Sequence, residues 1–329
     1  MNRTTKKLLL GILGLSVAGL GIFGIVKFSS QEKNEATILA SSFIGYDFAR
    51  AVVGDSDEIE MLIKPGVELH DFEPTPEDIK KIKEAKLFIY VGGESEGWIE
   101  EILKDNGIPE EKTLKLIKFV ELEEEDEFEG GVVVEKSEED EENKEGGVHE
   151  ENEVEYDEHI WTSPINSMKL VRAIEEKLVE VFPEDKEKFR ENSEEYVGKL
   201  EKLDEGFREV VKNGDKDEIV FGDKFPFKYF VEEYGLRYYA AFPGCSEQTE
   251  ADSKTVGFLI NKVREDKIGV VLKIELSSGK LAETIANETG AKVLELNSAH
   301  NVSREDFESG LTYVEILEKN LEVLREALN

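Results

Sequence analysis

Histidine is scarce in this chain: there are four, at positions 70, 149, 159 and 300, against 75 acidic residues. His149 lies inside an acidic run, whereas the other three fall just past, or between, expected secondary-structure elements. His70 sits in "KPGVELHDFEPTPEDI" (64–79), with Glu68 and Asp71 beside it. His159 precedes Trp161 and a helix-starting "SP", and His300 follows "VLELNS". Neutral imidazoles with nearby carboxylates are the donor chemistry of a divalent cation, zinc in mixed nitrogen–oxygen sets or manganese with more oxygen. Candidate oxygens are Asp223, just after "IVFG", and Glu275, at the end of "VVLKIE". Both also have a structural reading, since a carboxylate at a strand end can cap the helix that follows. Glu94 and Glu96, after "VGG", are candidates to line a cleft or to stand in solvent. Neither an HExxH nor a CxxC pattern is present, so spacing alone leaves these alternatives open.

Composition narrows the classes. The formal net charge is −34, which disfavours nucleic acid as a partner and favours a cation. Cys245 is the single cysteine, so no intrachain disulfide can form and a cysteine-rich zinc knuckle is excluded. With no basic partner in view, it gives little support to thiol catalysis.

These residues need a frame, and the periodicity supplies one. Strand, helix, strand, helix runs through "TILASSF" (37–43), "IGYDFARAVVG" (44–54), "DEIEMLI" (57–63), "TPEDIKKIKEA" (75–85), "KLFIYVGG" (86–93) and "EGWIEEILKDN". That order predicts an α/β lobe with a mainly parallel sheet over residues 31–183. Within it, residues 121–158 hold twenty acidic residues and two lysines and read as an acidic loop too charged to pack. A long amphipathic helix over 184–214 is the expected connector. A second α/β lobe then repeats the pattern over 215–329. Ligands of open α/β sheets bind beyond the strand C-termini, so two such lobes facing each other predict a cleft.

Residues 1–30 read differently. A basic "MNRTTKK" precedes nineteen uncharged residues (8–26), about 28 Å of helix. The expectation is a signal peptide or N-terminal membrane anchor, with the body of the protein on the extracytoplasmic side. No cysteine follows the segment, which disfavours a lipid anchor.

The stretches around the histidines resemble the substrate-binding proteins of bacterial zinc and manganese ABC importers. "GVELHDFEPTPEDI" is similar to that family's first-ligand loop, "PHxFEPTP". "DEHIWTSPINSMKLVRAIEEKL" is similar to its second, "DPHxWLSPxN". "KFPFKYFVEEYGL" and "LSSGKLAETIANETGAKVLELNS" resemble the second-lobe segments, and the likeness covers about residues 36–329. The resemblance implies two α/β lobes on one long helix, with metal in the interlobe cleft and His70 and His159 as ligands. The third-ligand place falls on Lys224, whose ammonium cannot ligate, so Asp223 is the expected substitute. The fourth falls on Asn297, with His300 three residues later as the expected nitrogen and Glu275 as an alternative or supporting ligand. The implied function is capture of Zn²⁺, with Mn²⁺ second, by a monomer that delivers it to an ABC permease; this is not an enzyme's role. Competing readings are a metal-dependent hydrolase with Glu275 as base, and a surface adhesion or assembly module built on the acidic loop.

Overall fold

The structure, a computed structural model, describes residues 37–54, 58–69, 72–126, 128–129, 132–133, 155–244 and 251–329. The apolar segment at 8–26, His149 and Cys245 lie outside the described residues. Among those described, no helix is long and apolar enough to cross a membrane.

Short runs make the first sheet, wholly apolar in its two central strands. β1 (Ile38–Ala40), β2 (Ile59–Met61), β3 (Leu87–Tyr90) and β4 (Thr113–Lys115) pair in parallel in the order β2-β1-β3-β4. The central strands β1 and β3 are buried on both faces, which explains their continuous apolar pattern, whereas the edge strands β2 and β4 are only partly buried. Crossovers are α1 (Phe43–Val53), α2 (Pro76–Glu84) and α3 (Gly97–Asp105). Thr75 closes a capping box with Asp78 and Pro76 opens α2, so the "TPED" start works as its sequence predicts. β4 was not expected from the sequence.

The acidic stretch is not uniformly unpacked. A two-residue hairpin, β5 (Phe128–Glu129) with β6 (Val132–Val133), lies within it. Glu124 bridges Tyr156, and Asp126 pairs with Lys228 at 2.7 Å. At its C-terminal end Asp157 and Glu158 are buried. The chain then enters α4 (Pro164–Val181), capped by Ser163, and α5 (Lys186–Asn213), 28 residues or about 42 Å long.

The second sheet contains β7 (Glu218–Phe225), β8 (Arg237–Pro243), β9 (Val270–Lys273) and β10 (Lys292–Glu295), parallel in the order β10-β9-β7-β8. Its helices are α6 (Lys228–Tyr234), α7 (Ser253–Glu265), α8 (Lys280–Thr289), α9 (Arg304–Ser309) and α10 (Tyr313–Ala327).

One apolar core runs from β1 and α1 through α5 to α10, so the long helix is shared by both lobes. Phe48 of α1 meets Tyr196 of α5 and Tyr313 of α10 edge-on, at 6.0 and 5.1 Å between centroids. Buried Asp47 ties the same three helices. Its carboxylate accepts from Tyr196 Oη (2.8 Å) and Tyr313 N–H (3.1 Å), and pairs with Arg50.

Helix α8 crosses β7 without clearance. A Cβ on Gly222 would lie 2.4 Å from Ala282 Cα and 2.6 Å from its nitrogen. Both are backbone atoms that cannot step aside. Gly222→Ala is therefore expected to lower stability by about 1–3 kcal/mol. Denaturant unfolding should show a reduced midpoint with an unchanged slope.

Candidate metal centre

Two loops meet where the sheets end. The first is the turn Ile160–Thr162, entered from His159 and closed by Thr162, whose N–H and hydroxyl both donate to the His159 carbonyl. The Asp157 carboxylate, two residues back, accepts from the His159 N–H at 2.7 Å and sits 3.0 Å from its Nδ1. A carboxylate can only accept, so Nδ1 carries the proton and Nε2 keeps its lone pair. The His159 ring is fully buried, and Nε2 has no hydrogen-bond partner among the described residues. That is the tautomer and orientation in which a histidine ligates.

The second loop is 296–301. Ala299 holds a left-handed backbone, φ 58°. Asn297 supports that turn, its side-chain oxygen accepting from the Ala299 N–H at 2.8 Å. Glu275 gathers the rest. One of its oxygens accepts from Ser298 N–H (2.7 Å), the other from the Ser298 hydroxyl (2.7 Å) and His300 N–H (3.1 Å). Burial pushes the Glu275 carboxyl upward, while the Ser298 hydroxyl and N–H pull it back.

One bond joins the loops: Trp161 Nε1 donates to the Ser298 carbonyl at 2.7 Å. The result is that the His159 and His300 rings stand perpendicular, 4.9 Å apart. Glu158 completes the group, its Oε1 3.8 Å from His300 Nε2. Ligand-capable atoms of Glu158, His159 and His300 all lie within 4.8 Å of one another.

Of the residues expected from the sequence, His159 and His300 are thus brought together. The structure does not bring Asp223 into this group. β7 is out of register between Phe221 and Lys224, and the Asp223 carboxylate accepts from the Lys224 N–H at 2.9 Å. Glu275 is likewise occupied with backbone. His70 lies outside the described residues. Its loop does reach this place, since Asn301 accepts from Gly66 N–H (3.0 Å) and donates to the Val67 carbonyl (2.6 Å). Glu158 was missed. The available signal was that a glutamate stands where the importer motif "DPHxW" has proline. Glu96 was weighed only as a cleft residue. It is buried, and its carboxyl is pushed up to about 7 by that burial and by Glu158, against the Ser41 hydroxyl and Gly92 N–H. A further group, Glu94, Glu125 and Glu155, sits at the more exposed base of the acidic stretch.

Comparison with known proteins places the fold in a family. The family described as ZnuA, zinc-uptake complex component A, periplasmic, matches residues 38–327. The chain belongs to the ZnuA family. It is 32% identical over 303 residues to the high-affinity zinc uptake system protein ZnuA of Bacillus subtilis, covering 92% of this chain and 91% of that one. Identity to the zinc-binding lipoprotein AdcA of Streptococcus pneumoniae is 30% over 316 residues, 95% of this chain but 60% of that longer protein. Two solved structures superpose closely. The metal-dependent lipoprotein YcdH from B. subtilis has a TM-score of 0.71 at 29% identity, covering 89% of this chain and 99% of that one. The Zn(II)-bound ZnuA-like domain of S. pneumoniae AdcA has a TM-score of 0.69 at 28% identity, covering 88% and 98%. The ZnuA fold is therefore the two-lobed α/β architecture described above. A ZnuA-family chain is a solute-binding component of zinc uptake rather than an enzyme.

The Asp157 contact carries a pH signature. Burial by itself would lower the His159 imidazolium, but Asp157, with Glu158 and Glu125, holds it above the ordinary histidine value. In the metal-free protein the charged pair stabilises the fold fully below about pH 6.5, and that contribution fades as pH rises through the raised folded value. An NMR titration should find the His159 midpoint above 6.5, and Asp157→Asn should bring it down. A wild-type midpoint below 6.5 contradicts this account.

Proposed function

We propose that this chain captures Zn²⁺, with Mn²⁺ as a second cargo, outside the cell membrane and hands it to an ABC permease. The observation that carries the reading is the meeting of two imidazoles from distant points of the chain, 159 and 300. His159 contributes its Nε2 and His300 its ring from the opposite loop. His70 joins them on the strength of its first-ligand motif. Asp223 and Glu275 act through the backbone they hold, Glu275 by presenting the His300 loop. Membership in the ZnuA family supports the permease as partner and zinc as cargo. The apolar stretch 8–26 supports an extracytoplasmic place, with the chain either tethered through it or released, and acting as a monomer.

Proton and metal compete for the same nitrogens, so affinity falls on acidification. Calorimetry with Zn²⁺ and Mn²⁺ tests the reading directly. Zinc should bind more tightly than manganese. His159→Ala, His300→Ala and His70→Ala should each weaken zinc by more than about 100-fold, beyond what loss of a supporting contact costs. Wild-type affinity in both the His159 and His300 variants would sink the proposal.

A further inference from the structure

We propose that Glu158 is itself a metal ligand, the oxygen donor that replaces the one lost at Lys224. The proposal rests on zinc capture at His159 and His300 and names a further member of that site.

Position and chemistry agree. In the importer motif the residue before the second histidine is proline, which has no side-chain donor; here it is a carboxylate. The family's third-ligand place is Lys224, a cation that cannot ligate. One position has lost a donor and another has gained one.

The structure makes the exchange geometrically reasonable. Glu158 is 1% exposed, so its carboxylate is turned inward rather than into solvent. Oε2 accepts from the Ser95 N–H at 2.9 Å, which fixes the carboxylate plane. Oε1 is the oxygen 3.8 Å from His300 Nε2. Two atoms each ~2.1 Å from a tetrahedral ion sit roughly 3.4 Å apart, so a small contraction suffices. The backbone is also shaped to admit this side chain. A Cβ on Gly93 would fall 2.2 Å from both Glu158 Cβ and Oε2, and only glycine leaves that space.

If Glu158 ligates, the donors shift toward the first lobe. Glu158 and His159 are consecutive residues of one loop, and His300 is the contribution of the second lobe. A role limited to bonding Ser95 is the alternative, and ligation is separable from it.

The test uses the full-length chain, wild type, Glu158→Gln and Glu158→Pro, the last restoring the motif residue. Zinc affinity is read by calorimetry, and the coordination sphere by Co²⁺ absorption spectra and zinc X-ray absorption. Thermal unfolding of the metal-free forms is the control. Both variants are expected to lose more than about 100-fold in zinc affinity. Their Co²⁺ spectra should change, while metal-free unfolding stays within a few degrees of wild type. Unchanged affinity and spectra in either folded variant, with His159→Ala still defective, overturn the role of Glu158 and leave zinc capture standing. If wild type binds no zinc, both fall. If neither variant folds, the wild-type X-ray absorption decides: a sphere fitted by nitrogen donors alone overturns the proposal, and a carboxylate oxygen at ~2.0–2.2 Å supports it.

Discussion

The centre depends on one hydrogen bond between two loops that are 137 residues apart. Trp161 gives its indole N–H to the Ser298 carbonyl, deep in the core where neither group has water as a substitute. On one side, Trp161 is two residues from His159. On the other, Ser298 is two residues from His300 and is gripped by Glu275. The Trp161 carbonyl continues the connection, accepting from Tyr313 and from Ser167 at 2.8 Å. Tyr313 in turn reaches Asp47, where α1, α5 and α10 converge. The distance between the two imidazoles is therefore set by the packing of both lobes on the long helix, not by loose loops.

Charge gives the second constraint. Asp157, Glu158, Glu96 and Glu275 are all buried around or beneath the histidines. Carboxylates in such surroundings are costly unless bonded or compensated. Asp157 and Glu275 are satisfied by N–H and hydroxyl donors. Burial lifts Glu96 to about 7, and the nearby Glu158 carboxylate adds to that opposition to its ionisation. An arriving divalent cation relieves that opposition. The acidity of the whole chain matters less here than these four side chains, which the low-dielectric interior makes effective.

Much of the frame was legible in the sequence because its signals are local. Apolar runs of β-strand length, the Thr75 box before α2 and the Ser163–Pro164 start of α4 are read within a few residues. Histidines 159 and 300 stand out in the sequence because imidazole is rare here, the first ahead of an expected helix and the second after an expected strand. What escaped depends on three-dimensional context. β4 is Thr-Leu-Lys with only Leu114 buried, so it shows no apolar run for the pattern to register. Asp223 looks like a ligand in one dimension, yet the register shift in β7 turns its carboxylate to the Lys224 N–H. Glu158 belongs to the acidic run 121–158, where nineteen other acidic residues hide it. Its burial comes from the Gly93 and Ser95 backbone 63 residues away, which no window of sequence contains.

Asn301 clasps the loop before His70 through the main chain alone, taking the Gly66 N–H and giving to the Val67 carbonyl. Such a grip is blind to side chains. The exposed side chains of Val67 and Glu68 can be exchanged for other shapes and polarities while both bonds remain. Altering the surface of this loop and holding the loop against Asn301 are thus separate tasks in this molecule, each open to change without the other.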